Sequence, residues 1–207
     1  MAGRRDKQRK SREQRKLLLI IIERGNQTER IYFNKFKQRN SAIQIEIPGC
    51  KSVDAVKLVE YAIIKAKEYA INFNEGEKVW CVFDIDAKKT LELQRAKQLA
   101  DRNGIKIALS NPSFELWFLL HTDYYSTRPF SSNEDLLNEL KSRFPAYKKT
   151  DDSMFKALLP AQRQAINKAK RLMVYHQDCG NRLCSRESNP CTQVFELVEY
   201  INEIMGI

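Results

Sequence analysis

Glycine is scarce in this 207-residue chain, and its seven glycines form no G-x-x-x-x-G-K loop. Without such a cradle of backbone N–H groups, ATP binding by this chain is not expected. Histidine is scarcer still: His121 and His176 stand alone, and their spacing makes no metal pair. His121 closes an apolar run, where a cation would meet the negative end of a helix dipole, so capping is its expected role. Long apolar runs are absent too. The longest, Leu17 to Ile22, is strand-sized, far below the roughly 20 residues of a membrane span. The basic start lacks the apolar stretch and small-residue cleavage site of a signal peptide. A soluble, cytoplasmic protein is expected. The five cysteines (Cys50, Cys81, Cys179, Cys184 and Cys191) are odd in number and irregular in spacing, which argues against a disulfide framework. The last three fall near His176. A zinc site and a loop of reduced thiols both stay open there, with no C-x2-C pair to favour zinc.

What the chain has in excess is positive charge. Its net charge is +10, and residues 1–16, MAGRRDKQRKSREQRK, hold eight Lys or Arg against two acidic residues. Such an arm cannot bury a core and is expected to stay disordered until it meets something negative. Arg4, Arg5, Lys7, Arg9, Lys10 and Arg12 are candidate nucleic-acid contacts. A solvated tail is the alternative.

Beyond the arm, hydrophobic patterning alternates between two periods. KLLLIII and KVWCVF read as strands buried on both faces, IQIEIP (43–48) and IKIALS as two more. Between them lie helical stretches: TERIYFNKFKQ, SVDAVKLVEYAIIKAKEYAI and AKKTLELQRAKQLADRN. Val56, Val59, Ile63, Ala66 and Ala70 form the expected apolar stripe of the second. Asn26 and Glu29 are spaced as a capping box around the first, with Gly25 supplying the turn. NPSFELWFLLH reads as a helix with Asn111 as N-cap and Pro112 at the first helical position. This β-α-β-α-β-α-β-α order predicts an α/β fold with a mostly parallel sheet flanked by helices. From about 131 to 207 only helices are expected. The predicted organisation is a basic arm at 1–16, an α/β core at 17–125 and a helical extension at 126–207 packed on that core.

The acidic residues carry the chemistry. Function in open α/β sheets gathers at the carboxyl ends of the strands. Glu23 follows the first strand, and Asp84 and Asp86 end the third, in VFDIDAKK. Converging carboxylates repel unless a cation lies between them, and hard oxygen ligands suit Mg2+ or Mn2+. Such a site can polarise a phosphoryl oxygen and activate water. Alternative readings stand beside these: Asp86 can cap the next helix, and Glu29 can belong to its capping box. Glu115, inside the apolar SNPSFELWFLL, either supports the metal site or faces solvent. Tyr147, Lys148 and Lys149 in FPAYKKTDD offer a stacking ring and phosphate contacts, or simply a solvated loop.

Taken in order, IIERGNQTERIYFNKF, VFDIDAKK, SNPSFELWFLLH, AYKK and NPCTQVFELVEYI resemble the RloB family over nearly the whole chain, basic start included. The resemblance implies a core similar to the Toprim fold of topoisomerases, primases and OLD-type nucleases. It also implies a bacterial setting in restriction and abortive-infection loci, commonly beside an ABC/AAA-type ATPase. In Toprim proteins a glutamate after the first strand and a D-x-D after a later one bind Mg2+. By position these are Glu23, Asp84 and Asp86, with Glu29 matching the second glutamate of the family's E-G-x-x-T-E pattern. One position departs: Arg24 follows Glu23 where the pattern has glycine, and Gly25 comes next. The function so implied is a Mg2+-dependent nuclease acting on RNA (tRNA included) or DNA and controlled by the ATPase. Glu23, Asp84, Asp86 and Glu115 would be its catalytic residues. The alternatives are a catalytically idle subunit that binds nucleic acid or the ATPase, and a primase- or phosphotransferase-like use of the same metal. Homodimerisation stays open.

Overall fold

The computed structural model describes residues 15–38, 42–85, 90–150, 152–183 and 185–207. The apolar run does form a strand, β1 (Lys16–Ile22). Leu18, Ile20 and Ile22 point into one apolar cluster and Leu19 and Ile21 into the other, so the strand is buried on both faces. β3 (Lys78–Asp84) alternates the same way, with Trp80 and Val82 on the first face and Val79, Cys81 and Phe83 on the second. Continuous hydrophobicity is what a strand covered by helices on both sides requires.

With β2 (Ile43–Glu46), β4 (Lys106–Asn111) and β5 (Cys191–Thr192), these strands form a sheet of order β2-β1-β3-β4-β5. The first four are parallel and β5 is antiparallel to β4. Strand order explains where the helices lie. From β1 the chain steps to β2 on one side, then returns past β1 to β3. Parallel crossovers are right-handed, so a reversed step puts its helix on the opposite face. Accordingly α1 (Gln27–Asn34) packs on the face of Ile20 and Ile22. α2 (Ala55–Glu68) and α3 (Thr90–Arg102) pack on the face of Ile21 and Phe83.

The rest of the chain covers α1's face. It comprises α4 (Glu115–Leu119), α5 (Asn133–Arg143), α6 (Met154–Leu158), α7 (Gln162–Asp178) and α8 (Val194–Met205). Leu136, Leu158, Leu172 and Ile201 from these helices share one apolar cluster with Phe33 and Trp117. The Tyr200 hydroxyl donates to the Gly76 carbonyl at 2.6 Å, tying α8 to the turn before β3. No described helix is long and apolar enough to cross a membrane.

Several local expectations need correction. Asn26 sits at the N-cap position of α1, but its side chain makes no capping bond. α2 buries Ala55, Leu58, Val59 and Ala62 most deeply, while Val56, Ile63 and Ala66 flank that stripe. The apolar face is wider than one 3–4 row, and its centre lies one position back. Asn111 is the last residue of β4 rather than a cap, and α4 begins only at Glu115. The Asn111 amide donates instead to the carbonyls of Ser185 and Arg186. The helices-only reading of 131–207 missed β5, two residues long and below the length at which periodicity is visible. Asn111–Pro112 and Asn189–Pro190 are both cis.

Phe33 is fully buried, with ring centroids of Tyr32, Phe114 and Phe36 at 5.2, 6.1 and 6.4 Å. Phe33→Ala is expected to lower unfolding free energy by about 3–5 kcal/mol. Replacing the exposed Leu91 by serine should change it by less than about 0.5 kcal/mol. Urea denaturation of both variants checks the contrast.

Candidate functional site

Reversal of direction at β1 opens a crevice between the carboxyl ends of β1 and β3, where open α/β sheets bind ligands. Ile22 is in register with Val82, and the Glu23 N–H donates to the Val82 carbonyl at 3.2 Å. Glu23 therefore leaves β1 beside β3, one residue short of the level of Asp84. The turn that follows is held by its backbone. The Arg24 N–H donates to the Ser52 carbonyl at 2.9 Å, the Asn26 N–H donates to the Glu23 carbonyl at 3.4 Å, and Gly25 has φ +92°. Only glycine adopts that conformation readily. The glycine one place later than in the family pattern is thus the residue that turns the chain into α1.

The first turn of α1 places Thr28 and Glu29 in the crevice. A cavity of about 130 Å3 there is lined by Thr28, Glu29, Asp84, Glu115 and Lys149, among others. Glu29 is buried, and its carboxyl pKa is pushed up to about 8. Desolvation is the largest cause. The carboxylates of Glu115 and Glu23 push in the same direction, while its own backbone N–H and Lys149 oppose them. Glu29 belongs to this group of charges and not to a capping box.

Glu115 is also buried, and it is fully engaged. Ser113 Oγ donates to its Oε2 at 2.7 Å, Tyr147 Oη donates to its Oε1 at 3.1 Å, and Lys149 Nζ lies 3.5 Å from Oε1. Buried carboxylates survive when hydrogen bonds and a cation compensate for lost water, and this one has both. The Thr28 hydroxyl donates to the Lys149 carbonyl at 3.1 Å, fastening the 147–149 loop to α1.

Two candidates change role. Tyr147 is buried beneath Glu115, with burial and Glu115 both raising its pKa, so its ring is not placed to stack on a base. Lys149, and not Lys148, reaches the carboxylates; Lys148 is exposed. Sequence reasoning missed Ser113 and Thr28 altogether. The S-x-E spacing before an apolar helix was the available signal for Ser113. Asp86 and the arm residues Arg4, Arg5, Lys7, Arg9, Lys10 and Arg12 lie outside the described residues.

Among the described residues, no three acidic, histidine or cysteine side chains stand close enough together to hold one ion. The zinc alternative near His176 finds no support in that histidine. Its Nε2 lies 2.9 Å from the Pro190 carbonyl and its Nδ1 3.0 Å from the Asn181 amide, so both ring nitrogens are engaged. Cys184 lies outside the described residues. His121 caps, but as a neutral ring. Burial lowers its pKa to about 4, and Nδ1 lies 2.7 Å from the Trp117 carbonyl, to which the neutral ring donates.

A family model described as RloB-like protein matches residues 18–201. No curated protein and no solved structure matches the chain.

The Glu29 carboxyl binds its proton more tightly folded (about pH 8) than in its ordinary state near 4.5. The stability this contributes is complete below pH 4.5 and is lost as pH rises toward 8. In EDTA, wild-type stability should fall across that window with a slope approaching about 1.4 kcal/mol per pH unit from this group. Glu29→Gln should flatten that slope and melt higher than wild type at pH 8. Thermal melts between pH 5 and 8 measure it; parallel curves for the two proteins would remove Glu29 as the buried acid.

Proposed function

Because the chain belongs to the RloB-like protein family, we propose that it is a Toprim-like, Mg2+- or Mn2+-dependent nuclease. Its setting would be bacterial anti-phage defence of the abortive-infection kind. It would cut RNA, tRNA included, or DNA, under the control of a partner ABC/AAA-type ATPase. One observation supports this most. Glu29, Asp84, Glu115 and Lys149 line a single cavity at the switch point of the sheet, with Glu23 close enough to raise the Glu29 pKa.

The donor chemistry fits a hard divalent cation: carboxylate oxygens, desolvated and mutually repelling. Glu23, Asp84, Asp86 and Glu29 would hold it. When bound, such a cation polarises a phosphoryl oxygen and lowers the pKa of water. The chain's own residues supply the rest. Ser113 and Tyr147 fix the Glu115 carboxylate by hydrogen bonds, and Glu115 in turn positions Lys149. The Lys149 side chain stays 63% exposed, so it can leave the carboxylate for an incoming phosphate. Glu29, poised near neutrality, can hold or release a proton at its carboxyl within the same cavity.

The catalytically idle reading has one observation in its favour: no three described side chains already converge on an ion. Cleavage assays separate the two. The full chain incubated with labelled tRNA, other RNA and plasmid in millimolar Mg2+ or Mn2+ should cut at least one substrate. Asp84→Ala and Glu115→Gln should each reduce the rate by about 100-fold or more. Equal rates for wild type and Asp84→Ala would sink the nuclease. Mn2+ should also raise the melting temperature of wild type but not of Asp84→Ala. Removing residues 1–16 should weaken nucleic-acid binding and flatten its salt dependence, since fewer counterions are released; an unchanged slope would assign the arm elsewhere.

A further inference from the structure

A second, larger cavity, of about 520 Å3, lies toward β4 and β5. Asp84 lines the acidic cavity, and the next residue, Ile85, lines this one. Its volume falls within the roughly 300–1,000 Å3 of small-ligand sites. Ile85, Pro112 and Phe130 supply apolar wall, and Ser131, Ser132 and Arg186 supply polar groups. Among its described lining residues, Arg186 and Glu134 are the charged ones, one of each sign. The acidic cavity, by contrast, sets three carboxylates against Lys149. A mostly polar cavity with one apolar wall suits a nucleotide, its base on that wall and its sugar among the polar groups.

The walls are fixed in advance. The Asn111 amide holds the carbonyls of Ser185 and Arg186 at 3.3 and 3.4 Å. Asn189 accepts from the Phe130 N–H at 3.1 Å and donates to the Phe130 carbonyl at 2.8 Å. The two S-N-P segments of the chain, 110–112 and 188–190, thus anchor the backbones that carry Arg186 and Phe130. The Phe130 ring is in turn stacked on Tyr124, with centroids 6.0 Å apart and planes at 28°. Pre-ordering of this kind removes part of the entropic cost of binding.

We infer that this cavity is the subsite for one unstacked nucleotide of a single strand whose phosphodiester lies at the acidic cavity. The base rests on the Pro112–Phe130 wall, and the Arg186 guanidinium stacks on the base or meets its phosphate. The role of the neighbouring phosphodiester rests on the nuclease reading; binding in the cavity does not.

Arg186 and Ser131 are both exposed, so Arg186→Ala and the cavity-filling Ser131→Trp can be made without opening the core. In EDTA, where nothing is cut, fluorescent single-stranded RNA and DNA oligonucleotides are titrated into the full chain. Each substitution should weaken binding of at least one oligonucleotide by about tenfold, with melting temperature unchanged. Photocrosslinking of 4-thiouridine or 4-thiothymidine oligonucleotides to wild type should label peptides carrying Phe130 or Arg186. Wild-type affinity in both variants, crosslinks confined to other peptides, or no binding by wild type would each overturn the subsite. A chain that binds through this cavity yet cuts nothing keeps the subsite and loses the nuclease. One that cuts normally, with unchanged KM, after both substitutions loses the subsite alone.

Discussion

The parallel pairing of β1 with β3 is the constraint on which the carboxyl edge of this molecule depends. Both strands are apolar throughout and covered on both faces, so neither can slip by one residue without turning its side chains into the wrong cluster. That register, Ile22 against Val82, brings Glu23 up beside the end of β3 and starts α1 over the gap. Every side chain in the crevice is reached from those fixed points. Glu29 comes from the first turn of α1, Asp84 from the last residue of β3, and Glu115 from the helix after β4. The 147–149 loop is brought in by bonds to Glu115 and Thr28.

Electrostatics then divide the crevice into a satisfied half and an unsatisfied half. Glu115 accepts from a serine and a tyrosine and faces a lysine, so its charge is compensated in place. Glu29 has its own backbone N–H and a distant share of the same lysine, and burial outweighs both. A carboxyl in that position either keeps a proton or waits for a cation. The arrangement that lowers stability as pH rises is the one the proposed reading assigns to a divalent ion. Under the proposed reading, the repulsion between this carboxyl and Glu115 is relieved when a cation binds.

Much of this was legible from the sequence, because it follows from the pattern of whole elements. The four parallel strands, the helices between them and the acidic strand ends all announce themselves by periodicity and by where that periodicity stops. What escaped depends on contacts distant in sequence. Asn111 looked like a helix cap because N-P commonly opens a helix, yet its amide is taken by backbone from residues 185 and 186. Asn26 and Glu29 had capping-box spacing, but the crevice competes for Glu29, and tertiary burial prevailed over local hydrogen bonding. Tyr147 beside two lysines read as a surface cluster. Only the folded arrangement shows that the ring is buried under Glu115 and that the second lysine, not the first, reaches that carboxylate from the surface.

The chain after β4 is more than a cover for one face of the sheet. Its apolar helices complete the core around Phe33 and Trp117, which a helical addition of any sequence with the right pattern would do. The polar links are more selective. β5 pairs with the carboxyl end of β4 through Ser110 opposite Thr192 and Asn111 opposite Cys191. The hydroxyls of Ser110 and Thr192 lie 2.9 Å apart in the interior. That pairing is too short to add much to the sheet. Its consequence is positional, since it brings Arg186 and Asn189 to the edge where Asp84 ends. The buried hydroxyls and amide there all find partners, as interior polar groups must. Under the proposed reading, the C-terminal region thus extends the carboxyl edge from the acidic crevice to the cavity lined by Phe130 and Arg186.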